Sequence, residues 1–227
     1  MNVAVLSFFR NSAWGQAQRF VEQAANLRDV LRERGDRLRV IAVHGDSSDN
    51  TEGALIDAAT KHEMALTLVR RDHGGPVFGS TEHPDRLKAL SYVGNGGLQA
   101  ILKQDDAVFY VESDLIWSPE TVIALLSNLG NGVDLVAPLV FAGDAFYDIF
   151  CYRKNGDRFS PFKPYHPELD FDGLTRVDSV GSAFVMRGEV GRTCRIHNDN
   201  VLLGFCEDVW RNGFTVNVDA RLKVYHP

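Results

Sequence analysis

Short, almost unbroken apolar runs alternate with longer stretches of helical spacing through residues 1–141, and that alternation limits the folds open to this chain. Residues 3–9 (VAVLSFF), 38–43 (LRVIAV), 64–69, 107–111 (AVFYV) and 134–141 each read as a buried strand, being short and rich in β-formers. Between them, residues 14–34 place Phe20, Ala24, Leu27, Val30 and Leu31 on one helical face, and Gly35 offers a stop. Further helices are expected over about residues 85–103 and from Pro119 to about residue 129. The cluster Gly94, Gly96 and Gly97 is costly inside a helix, so a kink or a close backbone approach to a ligand is expected there. Strand, helix, strand in this order predicts an α/β fold with a mostly parallel, doubly wound sheet.

Beyond residue 142 the order loosens. Aromatic, Pro and Gly residues dominate up to residue 174, strand character returns over 177–186, a short helix is expected over 207–212, and strand closes residues 215–224. The 227 residues suit one domain, with 1–116 as the nucleotide-binding half and 117–227 as the acceptor half. A hydrophobic fraction of 44% suffices for a sheet covered on both faces. The net charge of -6 argues against a protein that coats nucleic acid or anionic membrane. Three cysteines, Cys151, Cys194 and Cys206, form neither a disulfide framework nor a zinc knuckle. Residues 1–9 lack the features of a signal peptide, and no run reaches membrane-spanning length, so a cytoplasmic location is expected.

In open α/β sheets ligands gather beyond the carboxyl ends of the strands. Glu112-Ser113-Asp114 follows the fourth strand, and extended backbone there would point both acids to one side. Hard cations such as Mg²⁺ and Mn²⁺ are commonly held by one or two carboxylates plus a substrate diphosphate. An isolated acid-x-acid also reads as a strand running into a solvated helix start. Glu207-Asp208 likewise reads as the first turn of a helix, where acids favour the dipole. His226 alone reads as a tail residue.

Taken in order, these stretches resemble GT-A glycosyltransferases. The strand Val108-Phe109-Tyr110-Val111 with Glu112-Ser113-Asp114 and Ser118-Pro119-Glu120 is similar to the Asp-x-Asp region of that superfamily. Residues 204–214 (GFCEDVWRNGF) resemble its Gly-x-x-Glu-Asp…Arg-x-x-Gly-aromatic signature, and the following strand ends in His226. Two groups are closest in pattern: the inverting family of cellulose and hyaluronan synthases, and the fungal mannan-polymerase subunit family, through Arg86 to Asn95 and Tyr147-Asp148.

The resemblance implies a nucleotide-diphosphate sugar donor, such as a UDP- or GDP-sugar, and Mn²⁺ or Mg²⁺ as cofactor. Asp114, His226 and Glu112 are then the metal candidates. Asp208 is the candidate base that takes the acceptor proton, with Glu207 beside it. Donor contacts are expected from Ser7, Arg10, Asp46, Asp49, Arg86, Asn95 and Ser113, where the alternatives are a capped turn and a solvated helix face. Gly181, Ser182 and Trp117 are expected at the acceptor, which a glycan, lipid, protein or hydroxylated nucleic-acid base would satisfy. A nucleotidyltransferase of related fold, or a binding module without activity, is the alternative.

Overall fold

A computed structural model describes residues 1–78, 83–197 and 200–227. In chain order the elements are β1 (Asn2–Phe9), α1 (Gln16–Glu33), β2 (Arg37–His44), α2 (Thr51–Lys61), β3 (Leu66–Arg70), α3 (Pro84–Gln99), β4 (Ala107–Val111) and α4 (Pro119–Ser127). There follow β5 (Leu135–Ala142), β6 (Ala145–Phe146), β7 (Arg153–Lys154), β8 (Asp157–Arg158), β9 (Leu174–Arg176), β10 (Ala183–Arg187), α5 (Gly188–Thr193), α6 (Leu202–Arg211) and β11 (Val216–His226). The main sheet runs β3-β2-β1-β4-β10-β5-β11-β9, with β6 paired to β5.

Strand pairing decides which residues reach the ligand edge. β1, β2, β3 and β4 are mutually parallel, β10 runs antiparallel to both β4 and β5, and β11 is parallel to β5. The carboxyl ends of β1, β2, β4, β5 and β11 therefore share one edge with the amino end of β10. That geometry brings Arg10, Asp46, Asp114, Tyr147, Ser182 and His226 toward a common rim from six separate parts of the chain.

Alternate residues of each strand feed two cores. Val3, Val5 and Phe9 of β1 pack with α1, α2 and α4, while Ala4 and Leu6 pack with the face carrying Leu98, Val190 and Phe205. Helix α1 ends as its sequence suggests, with Gly35 adopting φ +78° just past the last turn.

Helix α3 is continuous from Pro84 to Gln99, so the expected kink is absent. The glycines serve close packing within the protein. A Cβ on Gly97 would stand 2.6 Å from Leu6 and 2.9 Å from Val43, and one on Gly94 would stand 2.3 Å from Ile196. Glycine lets α3 lie directly against the sheet and its neighbours. Helix α6 begins at Leu202, five residues before the expected start, because Leu202, Phe205 and Val209 form an apolar stripe buried in the core. Glu207 and Asp208 therefore lie in the middle of the helix, away from its first turn.

Candidate active site

Asp114 and His226 meet. The carboxylate Oδ2 of Asp114 lies 3.2 Å from Nε2 of His226. The backbone enforces this approach, since Ile116 and Tyr225 form a two-way bridge, with N–H to carbonyl distances of 2.7 and 2.9 Å. Tyr147 stacks on the His226 ring at 4.3 Å between centroids and 22° between planes. Oδ1 of Asp114 is buried and has no hydrogen-bond partner. A buried, unpaired carboxylate oxygen is costly, and a cation is the ligand that best relieves it.

Two more acids crowd the same place. Glu112, with Asp148, Ser182, Tyr147 and Arg86, lines a cavity of about 300 Å³ whose remaining walls include Leu87, Leu90, Ile149, Phe150 and Leu202. Burial raises the Glu112 carboxyl to about 8, and the charges of Asp148 and Asp114 push the same way against the Ser182 hydroxyl and Arg86. Asp148 is buried, which raises its pKa, while hydrogen bonds from the N–H and hydroxyl of Ser182 at 2.7 and 2.8 Å oppose the rise. Three carboxylates in a largely apolar setting repel one another, and a positive charge among them would be stabilised.

Among the described residues no group of three or more His, Cys, Asp and Glu side chains is arranged to hold a metal ion. Asp114 and His226 offer one carboxylate and one imidazole, and a hard cation held by so few side chains commonly takes its remaining ligands from a diphosphate and water.

A second cavity, of about 380 Å³, lies at the ends of β1 and β2 and is lined by Phe8, Phe9, Arg10, Gly45, His73 and Phe78 among others. Arg86 and Leu90 line both cavities, so Arg86 stands between the acid end and the strand-two end.

Several expected donor contacts are engaged in holding the fold. The Asp46 carboxylate accepts from the backbone N–H of His73 at 2.7 Å and of Gly74 at 3.1 Å. Arg10 donates to the carbonyls of Gly75 at 3.0 Å and Pro76 at 3.1 Å. Together they latch the segment after β3 over the sheet edge. Asp49 accepts from Ala13 N and from the N–H and hydroxyl of Thr51; burial works to raise its pKa, but those bonds hold it below the usual carboxylate range. Asn95 exchanges two hydrogen bonds with the backbone of Ile196, at 2.8 and 3.0 Å, which fastens α3 to the segment before α6. Ser7 is fully buried and its hydroxyl has no partner, and Ser113 accepts from Gln16.

The acceptor and base candidates occupy different surroundings. Trp117 is a core residue, packed edge-on against Phe109 at 5.1 Å. A Cβ at Gly181 would stand 2.2 Å from Asp148 Oδ2, so this glycine makes room for the Asp148 carboxylate. Asp208 accepts from Arg195 N at 2.9 Å and lies 3.2 Å from Arg211 Nη1. Neither Asp208 nor the exposed Glu207 lines the acid cavity. Asp148 was visible in the sequence only as part of Tyr147-Asp148. Its place at the site follows from the β5–β6 turn and from Gly181, both tertiary features.

No protein-family description matches the chain, and neither does any curated protein. Solved structures do resemble it. The mannosyltransferase PcManGT from Pyrobaculum calidifontis, solved with GDP-Man and Mn²⁺, aligns at a TM-score of 0.63 and 16% identity, over 98% of this chain and 56% of that one. The fold is GT-A. S. aureus TarS 1-349 in complex with UDP aligns at 0.57 and 12% identity, over 99% and 60% of the two chains. The inositol-1-phosphate CTP transferase from T. maritima aligns at 0.55 and 9% identity, over 100% and 88%. The GT-A chain described here thus spans little more than half of the mannosyltransferase. Among the described residues no helix is long and apolar enough to cross a membrane.

Proposed function

We propose that this chain is a metal-dependent glycosyltransferase that moves a sugar from a nucleoside-diphosphate sugar to a hydroxyl acceptor. The observation that carries the proposal is the meeting of Asp114 with His226, which leaves one buried carboxylate oxygen unpaired at the ligand edge of a GT-A sheet. Asp114 and His226 would hold Mn²⁺ or Mg²⁺, which when bound offsets negative charge on the departing diphosphate. Arg86, between the two cavities, is placed to neutralise the same diphosphate, with the nucleoside toward Phe8 and Phe9 and the sugar toward Glu112. Tyr147 keeps His226 in register by stacking.

Transfer requires a carboxylate that accepts the proton of the attacking hydroxyl. Glu112 and Asp148 are the carboxylates lining the acid cavity, and the base is one of them. Leu87, Leu90, Ile149 and Phe150 line the cavity beside them. The three cysteines are free and buried, which supports a reducing, cytoplasmic setting.

A nucleotidyltransferase is the second reading, favoured by the extent to which the chain covers the T. maritima CTP transferase. One panel separates the two. UDP-sugars and GDP-sugars, incubated with protein and Mn²⁺, are expected to raise Tm and, with water taking the sugar in place of the acceptor, to release a nucleoside diphosphate slowly. Release of pyrophosphate from nucleoside triphosphates, with no response to any nucleotide sugar, would replace the glycosyltransferase reading.

A further inference from the structure

Helix α1 presents a polar ladder to the acidic loop. Gln16, Arg19 and Gln23 stand at i, i+3 and i+7, on one face of the helix. Each binds the next part of the segment after β4. Gln16 Nε2 donates to Ser113 Oγ at 2.8 Å, Arg19 Nη2 to the carbonyl of Asp114 at 2.8 Å, and Gln23 Nε2 to the carbonyl of Leu115 at 3.3 Å. Gln23 Oε1 also accepts from Trp117 N at 2.9 Å. The loop is thus held residue by residue from a helix anchored in the core by Phe20, Ala24 and Leu27.

The middle rung has an unusual feature. Arg19 Nε is buried and lacks a partner, as does Asp114 Oδ1. Both atoms belong to the rung that joins α1 to the acidic loop, and unsatisfied buried polar atoms at such a junction call for an explanation. The geometry points to Arg19 as a positioning residue, which fixes the Asp114 peptide so that its carboxylate stays aimed at His226 and at the cation between them. This inference rests on the metal reading given above. Groups that orient metal ligands from behind typically change affinity by about 10- to 100-fold when removed.

The test is Mn²⁺ binding by electron paramagnetic resonance, with the metal alone and with UDP or GDP, on four proteins: wild type, Arg19→Met, Arg19→Lys and Leu27→Ala. Methionine keeps the apolar stem and removes the donors. Lysine retains a charged donor group without the guanidinium fork, and Leu27→Ala loosens the same helix in its core without touching the loop. Arg19→Met is expected to weaken Mn²⁺ by at least about 10-fold, Arg19→Lys by less, and Leu27→Ala not at all despite a lower Tm. Wild-type affinity in Arg19→Met, or a loss in Leu27→Ala that tracks its Tm as closely, overturns the inference and leaves the metal reading standing. Absence of Mn²⁺ binding by the wild type under both conditions overturns the two together.

Discussion

The strand-two end and the strand-four end of the sheet are both rich in acids, yet they use them in opposite ways. After β2, Asp46 and Asp49 are saturated by backbone N–H groups of His73, Gly74, Ala13 and Thr51. At the end of β4, Glu112 and Asp114 crowd together with Asp148 from beyond β6, and one oxygen of Asp114 has no partner. A carboxylate that already has its donors builds a loop. Carboxylates that repel one another, with one oxygen left unpaired, build a binding site, because their energy falls when something positive arrives.

The contrast breaks most visibly at Asp114. Asp114→Asn is expected to abolish stabilisation by Mn²⁺ with a nucleoside diphosphate, while the metal-free Tm stays level or rises as the crowding eases; a thermal-shift titration reads both. A retained Mn²⁺ response would move the cation elsewhere. Next in size are the two cavity carboxylates. Either Glu112→Gln or Asp148→Asn should lower transfer by about 100-fold or more with nucleotide affinity nearly unchanged, while Asp208→Asn stays within a few-fold of wild type in kcat. Loss of turnover in Asp208→Asn alone would return the base to α6.

The strand-two end should respond in the reverse sense. Asp49→Ala strands the N–H groups of Ala13 and Thr51 and is expected to cost about 1–3 kcal/mol in chemical denaturation, with the Mn²⁺ response intact. The smallest effect lies far from both. Asp219 is buried, which works to raise its pKa, yet hydrogen bonds from Arg221 and Asn128 hold it below the usual carboxylate range. Its folded pKa is the lower one, so its contribution is present at neutral pH and fades as pH falls through the folded value. The stability gap between wild type and Asp219→Asn should therefore narrow in acid; a gap that widens would contradict this.

The same contrast explains what could be read from the chain. β4 lies at residues 107–111, where its unbroken apolar run placed it, and α4 opens at Pro119, because local pattern settles both. Asp114 and His226 were named together through the order of motifs, but only β11 and the Ile116–Tyr225 bridge bring them into contact. Asp46 and Asp49 carry the same residue type as Asp114. Nothing local says that Asp46 is satisfied, since its donors lie 27 and 28 residues away, whereas Asp49 takes two of its bonds from Thr51 beside it. Trp117 was equally ambiguous, its indole facing the core because Phe20 and Phe109 enclose it. In α6 the spacing of Leu202, Phe205 and Val209 was a legible sign of an earlier start, masked by the pull of the acidic pair.

The most direct measurement is the anomalous scattering of manganese in crystals grown with Mn²⁺ and UDP or GDP. The account predicts one strong peak within coordination distance of the Asp114 carboxylate and the His226 imidazole, with diphosphate oxygens completing its shell. A nucleotide bound with its manganese remote from both side chains, or bound with no manganese at all, would contradict it.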